Sequence, residues 1–164
     1  MNEKCQYRIE KLDVSVRDFL EDMLYEAIYV KPCQEKLPWS IIHTPELKKY
    51  ISEWSDDMDV GLIAIDIKNG KKIGAVWLKL LKDSNKGWGY ISDTIPELSM
   101  AILPEYRGMG IGTILLEKII EDNRQKYPQI SLSVDPQNKA MKLYKKFGFR
   151  ECGVAGTSVT MVLD

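Results

Sequence analysis

Hydrophobic residues recur at helical spacing in four stretches of this chain. The first stretch covers residues 15–30 and starts with Ser15 and Asp18, a capping-box-like pair in which Asp replaces Glu or Gln. Its apolar positions, three or four residues apart, are Val16, Phe19, Leu20, Met23, Leu24, Ala27 and Ile28. This spacing places the apolar side chains on one face and predicts an amphipathic helix over residues 15–30.

The other three helices are marked by start and stop signals as well as by spacing. A short helix is predicted to begin with Thr44 as its N-cap and Pro45 in its first turn, where proline is accepted. A long helix is predicted from Ile111 to about residue 126, and a last one opens at Asp135–Pro136 with Gly148 as its C-cap. Their apolar residues are Leu47, Tyr50, Ile51 and Trp54, then Ile111, Ile114, Leu115, Ile119 and Ile120, then Ala140, Met141, Leu143, Tyr144 and Phe147.

Between the helices, short runs of β-forming residues predict strands at residues 62–67, 73–81, 97–103 and 130–134, with one or two more after Phe149. Asn69–Gly70 is expected to form a two-residue hairpin turn, and Pro104 ends the third of these strands. The order is strand, two helices, three strands, helix, strand, helix and closing strands. It predicts a single α/β domain over residues 1–164, with a mixed sheet and helices on both faces.

Composition and charge exclude several functional classes. The formal net charge is −1 over 164 residues and the basic residues are spread out, which argues against nucleic acid as a partner. No apolar run approaches the roughly 20 residues of a membrane helix, and the segment MNEKCQYRIE is charged where a secretion signal needs an apolar core. Cys5, Cys33 and Cys152 form neither a disulfide framework nor a metal-ligand pattern. We therefore expect a cytoplasmic protein without a metal or a membrane partner.

A glycine-rich segment joins the strand at 97–103 directly to the long helix. It contains Gly108, Gly110 and Gly112, preceded by Arg107. The free N–H groups and the dipole of a helix start attract anions, glycines let the backbone approach an oxyanion, and an arginine adds a cation. The segment therefore predicts a ligand that carries phosphate.

The identity of that ligand is not given by the better-known phosphate loops. A P-loop requires GxxxxGK[ST], and no Gly-Lys-Ser/Thr occurs in the chain. The dinucleotide fingerprint requires G-x-G-x-x-G at the first strand of a βαβ unit, whereas the three glycines here give G-x-G-x-G after a hairpin. A glycine-rich connection that binds no ligand remains the plain alternative.

Two motifs resemble those of the GNAT superfamily of N-acetyltransferases. Residues 107–112, Arg-Gly-Met-Gly-Ile-Gly, are similar to the family signature R/Q-x-x-G-x-G/A. Residues 134–149 are similar to N-x-x-A-x-x-L-Y-x-x-x-G-F, with Leu143, Tyr144, Gly148 and Phe149 in place and Ala140 two rather than three positions after Asn138. The motifs cover residues 97–149, while residues 1–59 match only in the order of their elements.

The resemblance implies a mostly antiparallel, GNAT-like acyl-CoA N-acyltransferase fold with acetyl-CoA as co-substrate. Pyrophosphate would lie beside Arg107 on the backbone amides of Gly108, Met109, Gly110, Ile111, Gly112 and Thr113. The pantetheine arm would bond the backbone of the strand that ends at Leu103, near Ala101 and Ile102, where that strand splays from its neighbour. Asn138 would lie near the arm or the adenosine, or else bond the first turn of its own helix.

The implied reaction is direct transfer of acetyl to an amine in a ternary complex. An amine with a pKa near 10 must first lose a proton, so the site needs a base, an oxyanion donor and a proton source for the thiolate. Tyr144 is the candidate general acid, with a core aromatic as the alternative. Glu97 is the candidate base, with Asp93, Glu26, Glu53 or an ordered water left open, and the N–H of Met100 or Ala101 would donate to the oxyanion.

These motifs do not identify the molecule that accepts the acetyl group. By position only, the candidate acceptor-pocket residues are Tyr25, Glu26, Trp39, Trp54 and Trp88, and His43 is expected at the surface. A small-molecule primary amine is the main hypothesis. The alternatives are a protein lysine or N-terminal acetyltransferase, and a non-catalytic acyl-CoA-binding sensor. The acceptor, the acyl-chain preference and a homodimer are left open.

Overall fold

The computed structural model describes residues 5–164, apart from the side chain of Val14. Residues 1–4 of the segment tested for a secretion signal therefore lie outside the described part. The elements are β1 Tyr7–Lys11, α1 Arg17–Ala27, α2 Pro45–Lys48, β2 Val60–Asp66, β3 Lys72–Lys79, β4 Glu97–Ile102, α3 Ile111–Asn123, β5 Ile130–Val134, α4 Ala140–Lys146, β6 Arg150–Ala155 and β7 Ser158–Leu163.

All seven of these strands form one sheet in the order β1-β2-β3-β4-β5-β7-β6. Every neighbouring pair is antiparallel except β4 and β5, which are parallel. The predicted mixed, mostly antiparallel sheet is therefore confirmed. The single parallel pair arises because α3 returns the chain to the same end of the sheet before β5 begins.

Side chains of the sheet alternate between two apolar layers. On β3, Ala75 and Trp77 pack in the layer of α1, whereas Val76 and Leu78 pack in the layer of α3 and α4. The α1 layer also contains Leu20, Met23, Leu24, Ile42, Tyr50, Ile63, Ile65 and Ala101. The other contains Leu62, Leu98, Leu115, Leu116, Ile119, Leu132, Met141 and Tyr144. Helices thus cover both faces, as predicted.

The first two helices are shorter than their sequence patterns predict. Residues 14–16 form a 3₁₀ turn in which the Asp13 carboxylate accepts the Ser15 N–H at 2.8 Å, so α1 begins at Arg17 rather than at Ser15. It ends at Ala27 because Ile28 is extended. The Thr44 hydroxyl donates to the Ile41 carbonyl at 2.8 Å instead of capping α2, which is a single turn.

The last helix and the first hairpin also differ from their predictions. Residues 135–139 form turns, in which Asp135 Oδ1 accepts the Gln137 N–H at 2.8 Å, so α4 starts at Ala140 rather than at Asp135–Pro136. Gly148 follows with φ +97°, as expected of a C-cap. The β2–β3 connection takes residues 67–70 rather than two residues, since Asp66 N–H donates to Lys71 O across it.

A buried ion pair anchors the chain before β2 to the middle of the sheet. Lys79 Nζ lies 2.8 Å from Asp59 Oδ2, and both side chains are less than a tenth exposed. Asp59 Oδ2 also accepts the Ser55 N–H at 2.8 Å, and Lys79 Nζ lies 5.8 Å from the centre of the Trp54 ring. In the sheet register, Lys79 on β3 lies opposite Glu97 on β4. The ion pair with Asp59 therefore engages the lysine that lies beside Glu97.

Lys79→Met should lower the free energy of unfolding by about 3 kcal/mol, because it leaves the Asp59 carboxylate buried without its cation. Adding Asp59→Asn should recover most of that loss, since the amide oxygen can still accept from Ser55. Lys71→Met is the control, because the Lys71–Glu105 pair is about half exposed and should cost less than about 1 kcal/mol. Urea melts measure all three. A double variant no more stable than Lys79→Met would contradict this account.

Candidate active site

A gap opens in the sheet between β4 and β5. The two parallel strands form one residue pair, Glu97 with Ser131, and the remaining residues of β4 have no partner on β5. On its other side β4 is paired with β3 without a register shift from Lys79↔Glu97 to Gly74↔Ile102. The backbone groups of β4 that point away from β3 therefore border an open slot, as the resemblance implied.

The directions of these backbone groups follow from one hydrogen bond. Leu103 N–H donates to Ile73 O at 2.9 Å, so Leu103 and, by alternation, Ala101 turn their backbone groups to β3. Met100 and Ile102 then turn theirs to the slot, and Ile102 O accepts from Arg107 Nε at 2.9 Å. This geometry favours Met100 and Ile102 as contacts for a ligand arm, whereas Ala101 and Leu103, which were also expected there, hold the β3 ladder.

The glycine-rich turn after β4 exposes a set of unpaired amides. Gly108 and Gly110 have φ of +78° and +81°, a conformation that glycine adopts at little cost, and no atom lies within 4 Å of the place where a Cβ would stand on either. The first backbone hydrogen bond of α3 runs from Ile114 N–H to Gly110 O. Within residues 5–164, the amides of residues 108–113 have no hydrogen-bond partner.

The side chains around this turn differ in their surroundings. Arg107 is half exposed and pairs with Glu26 Oε2 at 3.1 Å. Met109 and Thr113 are exposed, whereas Ile111 is buried in the core, so it can serve a ligand only through its amide. Asn138 Oδ1 accepts the Ala140 N–H at 2.9 Å, which is the alternative that the sequence left open for it. The side-chain NH₂ group of Asn138 has no hydrogen-bond partner within the described residues.

Tyr144 is buried on α4 with its ring edge-on to Phe149, the centres 5.8 Å apart. Its hydroxyl has no hydrogen-bond partner among residues 5–164. Burial raises the pKa of Tyr144 to about 12, so the phenol stays protonated at neutral pH. The hydroxyl oxygen itself is not fully enclosed, since Glu97 Oε2 is the one fully buried side-chain oxygen or nitrogen without a partner in the described residues, so the Tyr144 hydroxyl is open to a ligand atom.

Glu97 is buried at the closed end of the slot, on the α1 side of the sheet. Its Oε1 accepts the Tyr50 hydroxyl at 3.0 Å and the Gly89 N–H at 2.9 Å. Its Oε2 is buried with no partner in the described part of the chain. Burial raises the pKa of Glu97 to about 7, although the bonds from Gly89 and Tyr50 and the charge of Lys49 oppose that rise.

The segment that covers Glu97 was not recognised from the sequence. It needs glycine at two positions: a Cβ on Gly87 would lie 2.0 Å from Glu97 Oε2, and one on Gly89 would lie 2.8 Å from Oε1 and from the Leu132 carbonyl carbon. Trp88 stacks on Tyr50, with ring centres 5.9 Å apart. Tyr50, assigned only to a helix face, thus joins the site, and no local pattern could have shown a contact made over 47 residues.

The other candidate residues are distributed around the α1 side. Tyr25 and Trp39 form a ring pair 5.1 Å apart, and Glu26 bridges Arg107 and Lys36. Trp54 lies beside Lys79, and the alternative bases Asp93 and Glu53 are exposed, as is His43. Of the candidate bases, only Glu97 combines burial with a raised pKa.

Two further features are absent from residues 5–164. No helix there is long and apolar enough to cross a membrane. No three His, Cys, Asp or Glu side chains of this region are grouped so that they could hold a metal ion.

Known proteins resemble parts of this sequence and share its fold. A [ribosomal protein bS18]-alanine N-acetyltransferase of Haemophilus influenzae is 34% identical over 94 residues, which are 54% of this chain and 64%, just under two thirds, of that protein. The PaiA N-acetyltransferase of Thermoplasma acidophilum, solved with coenzyme A, superposes with a TM-score of 0.66 at 22% identity, over 96% of this chain and 98% of that one.

A third similar protein is the spermidine/spermine N-acetyltransferase SpeG of Vibrio cholerae, with a TM-score of 0.59 at 20% identity, over 96% of this chain and 92% of that one. At these identities the two structures support the fold alone. The sequence profile of the Acetyltransferase (GNAT) family matches residues 23–149, which include the slot, the glycine-rich turn and Tyr144. This chain belongs to the acetyltransferase (GNAT) family.

Proposed function

We propose that this chain, as one acetyltransferase domain, transfers the acetyl group of acetyl-CoA to a primary amine by direct attack in a ternary complex. The observation that carries the proposal is the row of unpaired amides at residues 108–113 beside a slot bordered by β4 and β5. Such amides favour pyrophosphate, and the slot-facing backbone of Met100 and Ile102 suits an arm that carries amide groups. Bound acetyl-CoA supplies the activated thioester.

Glu97 is proposed as the base. An ammonium group with a pKa near 10 loses its proton to an ordinary carboxylate, of pKa 4.5, at a cost of about 7.5 kcal/mol. For a carboxylate with a pKa of about 7 the cost is about 4 kcal/mol, while half of the molecules are still ionised at neutral pH. The raised pKa of Glu97 therefore lowers the cost of taking the proton from the ammonium group, while half of the carboxylate stays ionised and able to accept it.

Tyr144 is proposed as the group that meets the departing sulfur. Glu97 takes the proton of the ammonium group, and the new C–N bond then forms as the C–S bond breaks. The thiolate takes a hydrogen bond and then a proton from the Tyr144 hydroxyl, and the second proton, which the nitrogen loses as it becomes an amide, restores the Tyr144 phenol through solvent. The phenol is available for this because it is protonated and has no partner within residues 5–164. The N–H of Met100, directed to the slot, is the proposed oxyanion donor.

A small-molecule amine is the proposed acceptor. Glu97 is enclosed by Tyr50 and by residues 87–89, which favours a compact acceptor over a long polypeptide. The α-amine of a protein N-terminus is the second candidate, because the Haemophilus influenzae relative is named for that activity. The test is thiol release from acetyl-CoA with spermidine, an aminoglycoside, a peptide with a free N-terminal alanine, and the N-acetylated form of a lysine-containing peptide. Tight acetyl-CoA binding without turnover on any of them would indicate a sensor instead.

Acetyl-CoA should raise the melting temperature, by an amount that corresponds to about 3 kcal/mol at a hundredfold excess over its Kd, and ATP and NAD should raise it much less. Gly110→Val should abolish this shift, because a branched side chain blocks the approach of pyrophosphate to the amides. Gly156→Val is the matched control: it too has a positive φ, of +60°, and open space around it. Thermal melts measure these shifts in melting temperature. Equal shifts with all three ligands would refute the cofactor assignment.

Tyr144→Phe should lower kcat on the order of 10²-fold and leave the Kd of acetyl-CoA nearly unchanged, because only the proton donor is lost. Tyr127→Phe, which removes another buried hydroxyl, bonded to Met58 O, is the control and should keep kcat. Steady-state kinetics and a binding titration measure both. Unchanged kcat in Tyr144→Phe would leave the residue as a core aromatic, and weaker binding at unchanged kcat would make it a cofactor contact.

The rate should fall as pH drops through about 7, because Glu97 then becomes protonated, and Glu97→Gln should remove this acid limb. Folding supplies an independent readout. Because the folded pKa lies above the unfolded value of 4.5, the stability contributed by the neutral carboxyl is full below pH 4.5 and declines by about 3 kcal/mol as pH rises to about 7. Glu97→Gln should lack this decline. Parallel stability curves for the two proteins would show that the pKa is not raised.

A further inference from the structure

We propose that Tyr50 is a positioning residue for acetyl transfer: its hydroxyl and the Gly89 amide together saturate Oε1 of Glu97, so that Oε2 is left as the atom that accepts the proton of the amine once the acceptor displaces the Gly87 backbone that covers it. The inference rests on the proposed role of Glu97 as base. It goes beyond that role because it assigns a function to a residue outside both family motifs, and it distinguishes the two oxygens of the carboxylate.

Tyr50 is held rigidly enough to serve this purpose. Its carbonyl accepts the indole N–H of Trp77 at 2.9 Å, and Trp77 is fully buried in the centre of the sheet. Its ring is stacked with Trp88, the planes 11° apart. Its hydroxyl donates to Glu97 Oε1 and accepts the Trp88 N–H at 2.9 Å, so both its donor and its acceptor are used.

Residues 86–89, which cover Glu97, are bonded to Lys49 and Thr160 as well as to Tyr50. Lys49 Nζ donates to Lys86 O at 2.7 Å and lies 5.8 Å from the centre of the Trp88 ring. The Thr160 hydroxyl donates to Trp88 O at 3.4 Å. These contacts fix the backbone that carries the Gly89 amide, and so they fix the second donor to Oε1.

The two carboxylate oxygens are consequently unequal. Two hydrogen bonds stabilise negative charge on Oε1, whereas Oε2 is buried without a partner in the described part of the chain. The neighbouring groups do not cancel this difference. Lys79, opposite on β3, is bonded to Asp59, and Lys49 acts on Glu97 only as a nearby charge. An unpartnered oxygen in this position costs stability, which a neutral side chain would avoid, so a catalytic use explains it.

Tyr50→Phe removes the donor while it keeps the ring and its stacking. Hydrogen bonds to charged groups contribute about 1.5 to 3 kcal/mol, so the acid limb of kcat/KM should move up by about 1 to 2 pH units. The value of kcat/KM at pH 7 should fall about 5- to 50-fold and recover toward the wild-type plateau near pH 9. Tyr127→Phe should lower the melting temperature without moving the limb. These kinetics are measured with saturating acetyl-CoA, because a bound ligand favours the folded state of every variant.

A direct titration separates the possible failures. Carboxyl ¹³C NMR, with the Glu97 signal assigned by its loss in Glu97→Gln, should show the Glu97 pKa raised further in Tyr50→Phe. An unshifted limb and an unshifted signal, with Glu97→Gln inactive, would overturn the role of Tyr50 and leave Glu97 as the base. Wild-type activity in Glu97→Gln would overturn the base itself. A rate loss in Tyr50→Phe that does not recover at high pH would mean structural damage and would also refute positioning.

Discussion

The parallel pairing of β4 with β5 stops after Glu97 and Ser131, and the arrangement of the site depends on that early stop. A sheet interior normally satisfies every backbone amide and carbonyl in its ladders. Here the slot-facing groups of Met100 and the N–H of Ile102 remain available on one edge of an otherwise continuous sheet, while Ile102 O accepts from Arg107. A ligand arm that carries its own amides can form the hydrogen bonds to β4 that β5 does not form beyond the Glu97–Ser131 pair. The glycine-rich turn and the start of α3 follow directly at the end of β4, so the unpaired amides lie beside this gap.

At the closed end of this gap lies Glu97, whose Oε2 is the one fully buried side-chain oxygen or nitrogen without a partner among the described residues. Burying a carboxyl raises its pKa, and the protein offsets this only in part, through two donors to one oxygen. Gly87 and Gly89 allow the backbone to pass directly over the carboxyl, where any side chain would collide with it. The enclosure disfavours the charged carboxylate and the two donors favour it, so that about half of the molecules are ionised at neutral pH, where the pKa of Glu97 is about 7.

The features that the sequence predicted well are those encoded locally. The glycine-rich turn and α3 carry their signals in adjacent residues, and β4 begins at Glu97, as the strand predicted at residues 97–103 does. The starts of α1 and α4 were predicted wrongly, because a neighbouring side chain competed: Asp13 capped a 3₁₀ turn before α1, and turns bonded by Asp135 and Asn138 delayed α4. Tyr50 could not be foreseen as part of the site, since its contacts join segments far apart in sequence.

The central claim is that the slot between β4 and β5 places a thioester between Glu97 and Tyr144, with pyrophosphate on the amides after Arg107. A crystal structure of the protein with coenzyme A and the amine found active in the acceptor panel tests it most directly. The account predicts pyrophosphate oxygens about 3 Å from the amides of residues 108–113, and the coenzyme sulfur within about 3.5 Å of the Tyr144 hydroxyl. It would be contradicted by coenzyme A bound away from the slot, or by a sulfur that lies out of reach of Tyr144.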